Sequence, residues 1–178
     1  MRSDTVRLFI KRYYIGLAIE ASTAGLFAFW LGEVVSQVFG VDQSAIGGLW
    51  AAISAVIIIE IQERNTFTAA WIRFLSTFVA VLLTGAIVSG LGYHLWSLFL
   101  CLVASVIGCA AIGCRNGFKP APIAVLVVFA VASIQPDLNI WWNCLGRFSE
   151  SVMGIAISLV IVVIFHPFRA WLARVKEI

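Results

Sequence analysis

This chain is poor in the side chains that keep a protein in water. Charged residues make up only 12% of its 178 positions, about half the share that hydrates an ordinary soluble domain. Hydrophobic residues account for 62%, and mean hydropathy is +1.02. Too few charges remain to cover a globule, which excludes a water-soluble fold and leaves an integral membrane protein. Cysteine and histidine are also scarce. Cys101, Cys109, Cys114 and Cys144 show no paired CxxC spacing, and His94 and His166 fall on opposite sides of the topology derived below. No metal site is therefore expected, and the thiols read as small apolar fillers. There is no Ser/His/Asp set, Gly-rich phosphate loop or carboxylate pair of catalytic type, so neither enzymatic activity nor a cofactor is expected.

What the chain has is long apolar runs. Six candidate spans lie at approximately Tyr14–Phe39, Ala45–Ile61, Phe67–Gly90, Tyr93–Cys114, Pro120–Gln135 and Ile140–Phe165, against the roughly 20 residues needed to cross a hydrocarbon core. The second and fifth are short by a few residues. The connections hold no soluble domain, so residues 1–178 read as one all-α transmembrane domain with short tails, 1–13 and 167–178. The first span follows a basic stretch, yet it is far longer than a signal's apolar region and lacks a small-residue cleavage pattern, so a retained helix is expected.

Orientation follows from the cations. Arg2, Arg7, Lys11 and Arg12 precede the first span, Arg64 follows the second, Arg115 and Lys119 follow the fourth, and Arg169, Arg174 and Lys176 follow the sixth. The alternate connections, around Val41–Ser44, Leu91–Gly92 and Pro136–Leu138, carry no Lys or Arg. Cationic residues are retained on the cytoplasmic side, which predicts both termini inside. The net charge of +3 then needs no nucleic-acid partner, because topology places the basic residues.

A weak internal repeat divides the chain. Ile61-Gln62 is followed by Arg73-Phe74, and Ile134-Gln135 by Arg147-Phe148, with the arginines 74 residues apart. The same offset pairs Thr77 with Ser151, Ala80 with Gly154 and Thr84 with Ser158. Three spans per copy is an odd number, so residues 93–166 would enter the membrane inverted relative to 14–90. A 3+3 inverted repeat of this kind is common in transporters, with the substrate path near the repeat interface. Relative to each arginine the matched residues stand at i+4, i+7 and i+11, which at about 100° per residue share one helical face.

A lipid-facing charge at mid-membrane costs at least about 2.5–3.5 kcal/mol, so both stripes should face protein or water. Each arginine is expected roughly 10 Å from its own membrane surface. Two cationic patches, with hydroxyls between them to replace lost hydration, suit a desolvated anion. The candidate substrate-binding residues are therefore Arg73, Arg147, Thr77, Ser151, Thr84 and Ser158. Trp50 joins them because it closely follows Gly47-Gly48, where a helix start can offer backbone N–H groups to an anion.

The structural alternative is helix packing through small and hydroxyl residues, with Arg147 neutralised by Glu150 at i+3. Arg73 has no acidic residue at i±3 or i±4, and Glu20 is one candidate partner. Glu20 and Glu33 are also candidates for proton coupling. Glu60, Glu63 and Arg64 read as a solvated turn cluster, and Pro120 and Pro122 as a helix start. Trp141-Trp142 and Trp171 suit aromatic belts.

The stretch GGLWAAISAVIIIEIQERNTFTAAWIRFLSTFVAVLLTGAI, a short apolar helix, a Gln-containing turn and then an Arg followed by small and hydroxyl residues, resembles the fusaric acid resistance and aromatic acid exporter superfamily, which includes the plant aluminium-activated malate transporters. The likeness is best over spans 2–3 and weaker over 5–6. It implies a homodimer in the bacterial inner membrane or a plasma membrane that moves small organic anions, aromatic acids or dicarboxylates, with Arg73 and Arg147 at positions matching a basic lining. The chain departs from larger members in lacking a sizeable cytoplasmic domain. The competing expectations are a non-transporting anchor or regulatory subunit, and a proton-coupled drug exporter dependent on Glu20.

Overall fold

The computed structural model describes residues 2–39, 44–60 and 63–174. Six helices follow the apolar runs: α1 (Arg2–Val38), α2 (Ser44–Ile58), α3 (Glu63–Leu91), α4 (Leu95–Ala111), α5 (Pro120–Ile134) and α6 (Ile140–Arg174). A 3-10 turn, Arg115–Phe118, leads into α5. The described residues contain no strand. Residues 41–43, the Ile61-Gln62 half of the repeat motif and Lys176 lie outside them.

Local chemistry sets the helix ends. Gly92 and Gly113 adopt φ of +74° and +78°, a left-handed turn that glycine enters at no steric cost. Between Gly92 and α4, the Ser97 hydroxyl accepts from the His94 N–H at 2.8 Å and donates to the Gly92 carbonyl at 2.7 Å. These two stops trim the expected span Tyr93–Cys114 to a helix of 17 residues. Pro120 opens α5, where its missing N–H costs little. At 1.5 Å per residue α2 and α5 are about 22 Å long, shorter than a hydrocarbon core of about 30 Å.

Four segments are long and apolar enough to cross a membrane: Tyr14–Val38, Asn65–Leu91, Asn116–Ile134 and Ile140–Phe168; α2 and α4 are apolar but shorter. The second helix is short as expected, whereas the fourth rather than the fifth is the other one too short to count as a span. The segments expected as tails are largely helical: α1 begins at Arg2, and α6 continues through Pro167 to Arg174.

The packing does not keep the first three helices apart from the last three. α1 lies on α2 and α6, α4 lies on α5 and α3, and α2 also packs on α6 as α5 does on α3. The two groups, α1–α2–α6 and α3–α4–α5, meet chiefly where α3 crosses α6. Small residues permit the closest approaches. A Cβ on Gly32 of α1 would stand 2.6 Å from the Ala51 Cβ of α2, and one on Gly154 of α6 would overlap the Ala51 carbonyl oxygen. Polarity is inverted relative to a soluble fold. Leu26, Trp30, Trp96, Ile107 and Val163 are exposed, whereas Glu20, Arg73, Asn143, Arg147 and Glu150 are buried. That inversion is expected where hydrocarbon is the solvent, because polar groups then stabilise only by meeting one another.

Candidate functional site

Helix α2 supplies the floor of the site. Its small residues let it lie deep between α1 and α6, and Trp50 and Ser54, one turn apart, are both fully buried. The Trp50 indole N–H donates to the Arg147 carbonyl of α6 at 2.9 Å. The face of the same ring lies 4.5 Å from the Arg73 guanidinium carbon, a cation–π contact that brings α3 onto α2. Arg73 Nη2 donates to Ser54 Oγ at 3.2 Å. Ser54 Oγ donates to Ser151 Oγ at 3.2 Å, and Ser151 lies 3.4 Å from Thr77 Oγ1. Arg73, Ser54, Ser151 and Thr77 therefore form one polar chain across α3, α2 and α6.

The two arginines sit in different electrostatic settings. Arg73 is 1% exposed, its contacts are Ser54 and Trp50 with no carboxylate among them, and its Nε and Nη1 have no hydrogen-bond partner. Arg147 is fully buried and its Nη2 stands 2.7 Å from Glu150 Oε1. The groups in that ion pair are close but poorly aligned, since no side-chain nitrogen of Arg147 makes a directed hydrogen bond, and the Ser36 hydroxyl lies beside the Glu150 carboxylate. The Glu150 carboxylate instead abuts the start of α2. A Cβ on Gly47 would overlap Glu150 Oε1 and lie 2.5 Å from the Ser36 hydroxyl of α1. Only glycine leaves room there.

Of the residues singled out in the sequence, Arg73, Trp50, Thr77, Ser151, Arg147 and Glu150 come together here. Ser158 does not join them: its hydroxyl donates to the Ala55 carbonyl at 2.7 Å and so fastens α6 to α2. Thr84 is buried on α3, about 16 Å along the axis from Arg73. Glu20 is buried on α1. Arg73 stands about 15 Å along α3 from Glu63, because α3 begins before Phe67. Ser54 and Ser36 complete the site without having been assigned to it, while Gly47 stands at the helix start already singled out. The one signal for Ser54 was its i+4 spacing from Trp50 on a helix otherwise small and apolar.

The arrangement can stabilise an anion. One buried cation offers two unpartnered N–H-bearing nitrogens, an aromatic ring lies against it, and hydroxyls from three helices stand near it. A sequence model described as aromatic acid exporter family member 1 matches residues 15–165, which includes every helix of this site. No curated protein and no solved structure matches the chain.

Proposed function

The chain belongs to the aromatic acid exporter family, and from that membership we propose that it passes organic carboxylates, aromatic ones included, along a path through Arg73, Trp50 and Ser54. It is a membrane transporter of the aromatic acid exporter kind, not an enzyme. The observation that carries the substrate class is the state of Arg73: a buried permanent cation over the Trp50 ring, with no carboxylate in contact among the described residues and two nitrogens unpartnered. A carboxylate placed there would supply the missing charge and two acceptor oxygens in one fork-shaped contact. Thr77, Ser151 and Ser54 would replace part of its hydration.

The 3+3 inverted repeat belongs to this reading. It is supported by contacts between residues at the repeat offset, Thr77 with Ser151 and Phe74 with Phe148, whose ring centroids are 5.5 Å apart. Positions near a two-fold axis meet their own counterparts, and the helix contacts keep their pattern when the halves are exchanged. A homodimer also belongs here, because six helices of which several are short enclose little width. The setting would be a bacterial inner membrane, with both termini on its cytoplasmic side.

Reconstitution into liposomes tests the function. Efflux of benzoate or malate should occur with the native chain and fall at least tenfold in Arg73→Ala, while the detergent-solubilised variant keeps its elution profile and helicity. Unchanged flux in that variant would remove Arg73 from the path. The Arg147–Glu150 pair favours a second reading, a non-transporting membrane subunit with neutralised interior charge. Absence of flux for any carboxylate, with co-purification of a fixed partner, would support that reading instead.

A further inference from the structure

The Glu150 carboxylate occupies a place suited to a ligand's carboxylate. Arg147 faces it at 2.7 Å. Gly47, in the first turn of α2, leaves a hollow that any side chain would fill, and the first turn of a helix attracts negative charge. The Ser36 hydroxyl, fully buried on α1, lies at the same point beside the Glu150 carboxylate. Arg147 Nε and Nη1 have no hydrogen-bond partner among the described residues, so this arginine can hold a carboxylate more fully than Glu150 does. The pair is held by charge and proximity rather than by aligned bonds.

We propose that Glu150 is a displaceable, internal substitute for the substrate's carboxylate, and that a substrate anion takes its place at Arg147 when Glu150 acquires a proton from water. This rests on the transport reading above and adds its coupling. The two states carry the same charge. Before exchange the site holds Arg147⁺ and Glu150⁻; after it, Arg147⁺, neutral Glu150 and the bound anion. Neither state leaves Arg147 buried without a counter-charge, which would be strongly unfavourable. Without the proton, the incoming anion would meet Glu150 as a second buried negative charge.

Other charged groups around Glu150 are few. α6 itself presents Arg147. α1 offers Glu33, whose Cγ lies against Gly48 of α2. α2 and α5 carry no titratable residue, and α3 presents Arg73 to the neighbouring Ser54. Arg73 then serves as an open charge that draws the anion in, and Arg147 as a charge released by protonation.

Calorimetric titration of the full chain in detergent with benzoate, which stays ionised between pH 6 and 8, tests the exchange. Paired titrations in buffers of different ionisation heat should show one proton taken up per benzoate bound. The apparent Kd should fall about tenfold per unit of acidification while Glu150 starts ionised. Glu150→Gln should bind benzoate with no proton uptake and a pH-independent Kd. Glu150→Asp should keep the uptake, because it remains titratable. Wild-type binding without proton uptake, or uptake that persists in Glu150→Gln, would overturn the proposal. Binding that requires Arg73 but ignores pH and Glu150 would overturn it and leave the transport reading standing. Absence of benzoate binding to the native chain would count against both.

Discussion

At the scale of single residues, the two buried arginines sit in different settings. Arg73 is held by a ring face and one hydroxyl, whereas Arg147 leans on a carboxylate. Arg73→Lys should therefore retain only part of the flux, since an ammonium keeps the charge but loses the flat stacking and forked donors of a guanidinium. Flux equal to the native chain would show that charge alone suffices. Trp50→Phe keeps a ring beneath Arg73 but removes the indole donor to the Arg147 carbonyl, a loss of about 1 kcal/mol in unfolding free energy. Denaturant titration in mixed micelles would read it. The sequence marked both arginines because charge is rare in apolar helices. It also offered Arg147 a local partner, Glu150 at i+3, and Arg73 none; it could not show what Arg73 meets, since Ser54 and Trp50 lie on another helix.

At the scale of elements, close backbone approach sets how α2 sits between its neighbours. Gly154→Ala should lower the thermal midpoint in detergent, by the equivalent of about 1–3 kcal/mol, because the added Cβ meets a backbone oxygen that cannot rotate away. Gly90→Ala, which would meet nothing within 4 Å, should not lower it. A fall of the same size in both would refute the packing argument. Ser97→Ala removes the hydroxyl that organises the start of α4 and should cost about 1 kcal/mol. Helix existence and order were legible because each apolar run is bounded by polar, Gly or Pro positions. The shortness of α4 was less legible: Tyr93, His94 and Cys114 extend its apolar run, while glycine conformation and a side-chain cap end it.

For the whole molecule, the exchange-symmetric packing and the cation distribution predict that tags at both termini are accessible from the cytoplasmic side only. A protease-protection assay on right-side-out and inverted vesicles checks this, and termini on opposite sides would rule out the even number of crossings. The α1–α2–α6 and α3–α4–α5 groups touch mainly along the α3–α6 crossing, with Arg73 reaching from one group to Trp50 and Ser54 of the other. A path through this site would thus run along the seam where the two groups meet.

Composition alone determined that this is a membrane protein, because 12% charge cannot hydrate a surface. The positions of the apolar runs determined six helices, and the two rare arginines with their small and hydroxyl companions marked the candidate face. The i+3 spacing offered the Arg147–Glu150 pair as well. Only the tertiary structure decided what Arg73 meets and where that pair sits, because periodicity places residues on a face of one helix, while contacts between helices depend on which of them cross and how closely. Gly154 and Gly47 admit α2 to the centre, so Trp50 and Ser54 meet Arg73, and Glu150 reaches the start of α2.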